Sequence, residues 1–385
     1  MSKNVEFCNT CDERKEHPTC GHVKMMKSQK ILTNQAIPGM IVAEDIYTKD
    51  NHLIIAIHTT LTDKIITRLK FYAITDISIF IENDLPPVPQ DVSPPSYYEE
   101  IKNSEAFMRF HSAYQTMLFG IKESLNDIVA EEKEIDTAKL LEDVSNIINQ
   151  CNTDFELFQL LHCLRHYDDT TYVHSLNVSL ICYIIGKWLK YTPGDLDSIT
   201  LCGLLHDVGK LMIPSRIIAK PSKLTEDEYS IVKTHALRGY HLLKSKKIDP
   251  RIKLAALMHH ERCDGSGYPH GFRSNQINSF AKLVSIADVY DAMTSARVYR
   301  GPLCPFEVID LFETEGYQKY DPKFIMTFLE GIVQIHIHNK VLLSNNEIGE
   351  IVSINKMALS RPLIKVGDQF IDLAKQRDLI IERLI

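Results

Sequence analysis

The chain has 385 residues, of which 44% are hydrophobic and 24% are charged, and its formal net charge is −7 at pH 7. This length and composition are typical of a globular protein with two or more domains. The acidic balance provides no general positive field, which argues against DNA, RNA or an anionic membrane surface as a partner.

Residues 1–27 form a polar N-terminal tail in our interpretation. The tail has no apolar core of the kind that a secretory signal carries. Cys8 and Cys11 have the C-x-x-C spacing of a zinc site, but Cys20 and His22 lie too close together for a usual zinc finger. The role of these cysteines stays open. Because the nine cysteines of the chain form no regular pattern, we expect reduced thiols and a cytoplasmic location.

Residues 28–84 are predicted to form a small β-rich regulatory module. Short apolar runs are interrupted by Gly39, Asp50 and Asn51, and this punctuation is typical of hairpins. The stretch "DKIITRLKFYAITDISIFI" then predicts one short helix and a last strand. Five prolines between Pro86 and Pro95 indicate a semi-rigid linker over residues 85–96. The input signal of the module cannot be read from its residues.

The rest of the chain is predicted to be mainly α-helical, with a short β-rich segment at its end. Apolar residues recur every three or four positions in "EAFMRFHSAYQTMLFGIKESLNDIV", as a packed helix requires. Thr225 followed by Glu228 predicts a capping box at the start of a helix. We assign connecting helices to residues 97–150, a helical domain to 151–337 and the β-rich C-terminal segment to 338–385.

Seven potential metal ligands occur within or at the ends of otherwise apolar helices of this domain. A buried polar side chain is costly unless it is paired or bound to metal, although one isolated histidine is usually a core residue. Seven nitrogen and oxygen donors exceed the need of a tetrahedral zinc site and favour two ions, with iron or manganese preferred because no thiolate is present. Two ions about 3.5–4 Å apart activate water for phosphoester hydrolysis. The seven residues are His174, His206, Asp207, His235, His259, His260 and Asp288.

Two motifs carry a family resemblance. "HDVGK" (206–210) resembles the doublet of the HD phosphohydrolases, and "HHERCDGSGYP" (259–269) resembles the signature of their HD-GYP branch. The likeness extends over roughly residues 150–335, through "IPSRIIAKPSKLTEDE", "KTHALRGYHLL" and "IADVYDAMTSARVYR". It implies a bundle of helices as catalytic domain and hydrolysis of the bacterial second messenger cyclic di-GMP to linear pGpG. Further cleavage to GMP is left open.

The resemblance also implies how the metal ligands are shared. One ion would be held by His174, His206, Asp207 and Asp288, and the other by Asp207, His235, His259 and His260. Some family members bind a third ion through a glutamate four residues before the first histidine. Thr170 stands at that position here, with Asp168 and Asp169 one or two places away. We therefore expect two ions, and a third ion held through Asp169 stays open.

Several further residues are candidates for positioning the substrate. Asp207 is the predicted bridge between the metals, and Lys210 is predicted to contact a substrate phosphate. The forked guanidinium groups of Arg297 and Arg300 suit phosphate oxygens, and Tyr268 suits either a base or the packing of its own loop. Other expectations concern the loop itself. Gly265 and Gly267 are expected to allow a positive φ and a close approach of the backbone. Glu261 and Asp264 are expected to orient the ligand histidines.

Two alternative functions remain open at this point. The protein could be a receptor or scaffold for cyclic di-GMP that contacts diguanylate cyclase domains through the loop at 264–269. The same chemistry could also act on another cyclic dinucleotide, such as cyclic GMP-AMP. A homodimer, paired through the amphipathic helices after the linker, is a further open possibility.

Overall fold

The computed structural model describes most of the helical region and parts of the N-terminal region. The described residues are 28–33, 36, 39–47, 53–61, 65–66, 69, 74, 76–80, 97–130, 134–164, 171–218, 220, 224–295 and 304–385. The N-terminal tail with its cysteines and the predicted proline-rich linker lie outside them. No helix in these ranges has both the length and the apolar character needed to cross a membrane.

The chain divides into two compact units, and the first comprises Met1–Pro89. Its described part contains four short strands in two antiparallel pairs, the first with the fourth and the second with the third. Val42, Leu61 and Leu69 are buried in a small core of their own. The β-rich character that was predicted for this segment is therefore confirmed. The strands are β1 (Ser28–Leu32), β2 (Ile46–Tyr47), β3 (Leu53–Ile55) and β4 (Asp76–Phe80).

The second unit, Gln90–Ile385, is mainly helical, as predicted. A short 3₁₀ helix (Val208–Met212) follows the helix that ends at Leu205, and a π-helical turn (Phe312–Gly316) follows the helix that ends at Leu311. The helices are α1 (Tyr97–Lys102), α2 (Glu105–Ala130), α3 (Thr137–Ile148), α4 (Asp154–Leu164), α5 (Thr171–Trp188), α6 (Pro193–Leu205), α7 (Ser215–Ile218), α8 (Glu226–Lys233), α9 (His235–Lys244), α10 (Pro250–Met258), α11 (Ser279–Thr294), α12 (Pro305–Leu311), α13 (Tyr317–Lys319) and α14 (Pro322–Ile335).

Local sequence signals explain where several of these helices begin. The capping box predicted at α8 is present: the Thr225 hydroxyl accepts a hydrogen bond from Glu228 N, and the Glu228 carboxylate accepts one from Thr225 N. An Asp or Thr cap followed by proline starts three other helices, because proline already has the helical φ and has no N–H to satisfy. These are α6, α10 and α14.

The centre of the bundle is formed by helices that are buried on nearly every face. α5 and α11 carry long runs of buried residues, as expected for helices without a solvent-facing side. α5 and α6 pack closely because residue 203 is glycine and has no side chain. A Cβ atom there would lie 2.7 Å from Ser179 Cα, which is too close for any other residue. This close packing places the start of α5 near the end of α6.

The C-terminal segment forms a five-stranded antiparallel sheet with strand order β8-β7-β6-β5-β9. Its buried residues, including Val341 and Ile351, continue the core of the helices. Glu313 of the π-helical turn accepts hydrogen bonds from the backbone N–H groups of Leu359 and Ser360. The predicted β-rich tail is thus a sheet that packs on the helical bundle. Its strands are β5 (Lys340–Leu343), β6 (Ile348–Ser353), β7 (Leu363–Val366), β8 (Gln369–Asp372) and β9 (Ile381–Leu384).

Candidate metal centre

The ends of several helices bring the predicted ligands together. His206 directly follows the last residue of α6, and His235 is the first residue of α9. α10 ends at Met258, so His259 and His260 lie where the helix stops, and their ring centroids are only 4.1 Å apart. Two adjacent histidines can therefore face one centre, because the helix ends just before them.

Asp207 lies in the middle of these ligands and is fully buried. Its Oδ1 is 3.2 Å from His235 Nε2 and 3.6 Å from His259 Nε2. Its Oδ2 is 3.3 Å from His206 Nε2 and 3.5 Å from His174 Nε2. Each carboxylate oxygen thus faces a different pair of histidines.

Two groups of potential ligands follow from these distances, and Asp207 belongs to both. Within each group, one donor atom from every residue lies within 4.8 Å of the others. Asp288, on α11, joins the cluster as well, since its Oδ1 is 3.1 Å from His174 Nε2 and its Oδ2 is 3.8 Å from His260 Nδ1. The groups are His174, His206 and Asp207, and Asp207, His235, His259 and His260.

Backbone carbonyl groups fix the orientation of three of the histidines. In each case Nδ1–H donates to a carbonyl three or four residues earlier in the chain, so Nε2 is left as the free ligand atom. Because these carbonyls belong to helical turns that are already rigid, the rings are held in place before any ion binds. The pairs are His206 with Gly203 (2.7 Å), His235 with Val232 (2.7 Å) and His259 with Ala255 (3.0 Å).

His174 is oriented differently, by residues that the sequence analysis did not identify. Its Nδ1 lies 2.8 Å from Asp291 Oδ2, and Asn177 Nδ2 donates to Asp291 Oδ1 at 3.1 Å. Tyr114 of α2 donates in turn to Asn177 Oδ1 at 2.7 Å. Asp291 was detectable in principle, because it is a second carboxylate three residues after Asp288 in an otherwise apolar helix.

The protonation states of most of these groups suit a metal. His174 is the exception in the metal-free site, because burial lowers its pKa but hydrogen bonds to Asp288 and Asp291 raise it to about 10. Burial by itself raises the pKa of the Asp207 carboxyl, but Lys210 and His206 hold that pKa well below its usual range. Burial lowers the pKa of His235 to about 3, and it lowers the pKa of His260 well below the ordinary value. An ionised carboxylate and neutral imidazoles are the forms that coordinate cations.

Unsatisfied polar atoms also fit bound cations. His206 Nε2 and Asp207 Oδ1 are both buried, and neither makes a hydrogen bond of acceptable geometry. This holds for Asp207 Oδ1 even though histidine nitrogens lie around it. Buried polar atoms without a partner are rare and require an explanation, which divalent ions between these donors would provide. The nitrogen and oxygen donor set therefore fits a pair of divalent metal ions.

Lys210 lies at the edge of the cluster. Its Nζ donates to Asp207 Oδ2 at 2.5 Å, across one turn of the 3₁₀ helix. Its side chain keeps 23% exposure, so the ammonium group is positioned between the buried carboxylate and solvent. The lysine is thus close enough to the site to meet an anionic ligand there.

Glu261 and Asp264 hold the loop rather than the ligand histidines, and our expectation for them was wrong. Glu261 accepts hydrogen bonds from the backbone N–H groups of His270 and Phe272. Asp264 accepts from the backbone and the hydroxyl of Ser266. Both carboxylates are occupied by local backbone donors, which the sequence pattern does not distinguish from histidine partners.

The loop glycines act as predicted. Gly265 has a φ of +85°, in the left-handed region that favours glycine. A Cβ atom on Gly267 would lie 2.5 Å from Glu261 Cα and from the His260 carbonyl oxygen, so the loop can fold back onto the histidine pair only with glycine there. As a result the Tyr268 ring stacks on His260, with the centroids 4.6 Å apart.

Three further expectations concern residues outside the described ranges. Arg297 and Arg300 belong to the segment 296–303, and Thr170 belongs to 165–170. Their roles stay predictions.

Comparison with known proteins places the cluster in a family. Residues 159–324 match the family described as HD domain. The chain is 32% identical over 205 residues to a cyclic di-GMP phosphodiesterase of Pseudomonas aeruginosa, covering 53% of this chain and 49% of that protein. It is 35% identical over 180 residues to a cyclic di-GMP phosphodiesterase of Thermotoga maritima, covering 46% and 49%.

A third relative has a different name. The chain is 37% identical over 145 residues to a 3′3′-cGAMP-specific phosphodiesterase of Vibrio cholerae, covering 38% of this chain and 34% of that protein. The chain therefore spans about half the length, or less, of these relatives. With the HD doublet and the HHE and GYP motifs all in place around one cluster of potential metal ligands, residues 159–324 form an HD domain that resembles those of the HD-GYP family.

Proposed function

We propose that this protein is a metal-dependent phosphodiesterase that hydrolyses cyclic di-GMP to linear pGpG. The observation that carries the proposal is the position of Asp207, whose two oxygens face two separate pairs of histidines. A carboxylate in that position can bridge two ions, and a pair of ions is suited to cleavage of a phosphodiester. The similarity to proteins named cyclic di-GMP phosphodiesterases supports the substrate.

Each ion has its own ligands in this proposal. His174, His206 and Asp288 would hold one ion and His235, His259 and His260 the other, with Asp207 shared. When bound, the ions supply the activated water and polarise the phosphoryl oxygen. We propose iron or manganese, because the donors are imidazole nitrogens and carboxylate oxygens without a thiolate.

The chain's own cations bind and orient the substrate. Lys210, already beside the site, would pair with a phosphate oxygen and offset the negative charge that develops during cleavage. Arg297 and Arg300 would hold phosphates with their forked donors. Tyr268 would contact a base from the rim while its ring supports His260. These contacts would hold the scissile phosphate beside the shared carboxylate.

A second candidate is hydrolysis of cyclic GMP-AMP. The observation that favours it is the similarity to the 3′3′-cGAMP-specific enzyme, which is as high in identity as that to the other relatives. A receptor without turnover is less well supported, because binding a nucleotide does not require seven metal ligands. Contact with diguanylate cyclase domains through the loop at 264–269 is compatible with either activity.

A cytoplasmic location accompanies the proposal. No disulfide joins any of the six cysteines in the described ranges, which suits a reducing compartment. A homodimer through the helices after residue 96 is the assembly we propose.

The test is an anaerobic turnover assay of protein reconstituted with iron or manganese. Cyclic di-GMP and cyclic GMP-AMP would be supplied separately, with the products separated by chromatography. The control variants are Asp207→Ala and Asp197→Ala, the latter an exposed carboxylate on α6. We expect pGpG from the wild type and from Asp197→Ala, and none from Asp207→Ala.

Other outcomes are equally informative. Faster cleavage of cyclic GMP-AMP would establish the second candidate. Bound metal and bound nucleotide with both substrates intact would establish a receptor. If folded Asp207→Ala protein hydrolysed the substrate at the wild-type rate, the bridging role of that carboxylate would be overturned.

A further inference from the structure

We propose that Tyr114, on α2, is a positioning residue for one of the two metal ions, acting through Asn177 and Asp291 on the ligand His174. This inference rests on the proposed metal centre. α2 lies outside residues 159–324, which match the HD domain, so this contact reaches the site from outside the matched domain.

The contacts form one continuous chain of hydrogen bonds. The Tyr114 hydroxyl lies 2.7 Å from Asn177 Oδ1 and also 3.5 Å from the carbonyl oxygen of Val173, the residue before His174. Asn177 Nδ2 lies 3.1 Å from one oxygen of Asp291, whose other oxygen lies 2.8 Å from His174 Nδ1. Tyr114, Asn177 and Asp291 are each at most 2% exposed, so solvent does not compete for these bonds.

The donors and acceptors allow only one direction along this chain. An ionised carboxylate can only accept, so Asn177 must turn its amide N–H₂ toward Asp291 and its carbonyl oxygen toward Tyr114. The tyrosine hydroxyl is then the donor. At the other end, Asp291 accepts the Nδ1–H of His174, which leaves Nε2 directed at Asp207 and Asp288 as the ligand atom.

His174 needs this support more than the other histidines do. His206, His235 and His259 donate to backbone carbonyls of adjacent helical turns, which cannot rotate. His174 is the fourth residue of α5 and donates instead to a side chain on α11. A carboxylate side chain rotates unless its second oxygen is held, and Asn177, fixed by Tyr114, holds it.

The consequence is selective for one ion. His174 belongs to the group with His206, whereas His235, His259 and His260 belong to the other group. Loss of the Tyr114 hydroxyl should therefore weaken the ion held by His174 and leave the other ion unchanged. A general loss of packing would not distinguish the two.

The experiment is a titration of the metal-free protein with Mn²⁺. Binding is measured by calorimetry and, separately, by competition with a chelator. Tyr114→Phe is compared with Tyr172→Phe, a matched control in which a tyrosine of α5 donates a hydrogen bond to Asn126 of α2 at 2.6 Å instead of to Asn177. Thermal unfolding of the metal-free variants is measured alongside. Asp291→Asn serves as a second variant, which also tests the proposal if Tyr114→Phe does not fold.

We expect Tyr114→Phe to weaken one of the two binding steps by about 3- to 10-fold, equivalent to one net hydrogen bond. For Asp291→Asn, the expected loss at the same step is about 10- to 100-fold. Tyr172→Phe should bind both ions as the wild type does.

Equal effects of Tyr114→Phe and Tyr172→Phe, or equal weakening of both steps, would overturn the positioning role while leaving the metal centre in place. A wild-type protein that binds no divalent ion would instead overturn the proposed function.

Discussion

Gly209 and Gly239 pack backbone against backbone, where the 3₁₀ helix after Asp207 meets α9. A Cβ atom on Gly209 would lie 2.6 Å from Gly239 N and 2.0 Å from the His235 carbonyl oxygen. Because no side chain fits between them, the two segments approach closely enough for Asp207 and His235 to share one site. The close approach of the two backbones thus explains why the HDVGK motif has glycine at this position.

Gly209→Ala should therefore destabilise the protein and separate the ligands. Since the atoms in the way belong to the backbone, the segments must move apart, at a cost of about 1–3 kcal/mol. Urea unfolding measures the free energy of unfolding, and titration with Mn²⁺ measures the affinity for metal. Gly194→Ala is the control, because a Cβ there meets nothing within 4 Å. Unchanged stability and affinity in Gly209→Ala would contradict this account.

Glu261→Gln should loosen the loop that carries Tyr268. The buried Glu261 carboxylate accepts two backbone N–H groups, at 2.8 and 2.9 Å, whereas glutamine has one acceptor oxygen and would turn an N–H₂ toward a donor. We expect a loss of about 1–3 kcal/mol, the cost of an unsatisfied buried donor.

Faster hydrogen exchange at His270 and Phe272, measured by mass spectrometry, would accompany the destabilisation of Glu261→Gln. Glu330→Gln, at an exposed position of α14, provides the comparison and should behave as the wild type. The interpretation fails if exchange in the loop is the same in both variants.

Lys210→Met should separate substrate contact from metal binding. The lysine pairs with Asp207 in the metal-free site, and a bound cation would replace this partner. We expect the variant to keep both metal ions, while turnover falls by about 100-fold, as when one group that stabilises developing charge is removed. Metal content by elemental analysis and steady-state kinetics give the two quantities. A variant that lost its metals instead would show that Lys210 maintains the site and does not act on the substrate.

His336 should make folding sensitive to acid independently of the metal site. Burial lowers its pKa from 6.5 to about 4, and its Nδ1 lies 3.1 Å from Asn339 Nδ2, a donor that only the neutral ring accepts. Because the unfolded chain takes up this proton at higher pH than the folded protein, the stability due to His336 is complete above pH 6.5. It declines as the pH falls from 6.5 toward 4.

The expected loss in this interval is on the order of 3 kcal/mol, from about 1.36 kcal/mol per pKa unit. The measurement is the free energy of unfolding of wild type and His336→Leu at pH 7 and pH 4.5. The variant should lose less stability between these two values than the wild type does. Parallel losses in the two proteins would exclude His336 as the titrating group.

The predictions from sequence were most accurate where structure depends on neighbouring residues. The helical region and the capping box at Thr225 both follow from local periodicity and capping chemistry. The shared position of Asp207 was anticipated because it adjoins a ligand histidine within the same motif. Arg297 and Arg300 lie outside the described residues, so their contacts stay predictions.

The sequence alone therefore determined the fold class and identified the residues that make up the cluster of potential metal ligands. Only the tertiary structure decided which side chains orient those ligands: Asp291 and Asn177 support His174, while Glu261 holds its own loop. Tyr114 and Asn177 are 63 residues apart in the chain, and His174 and Asp291 are 117 apart. Hydrogen bonds between side chains of different helices depend on how the helices pack, and local patterns of apolar and polar residues contain no information on such pairing.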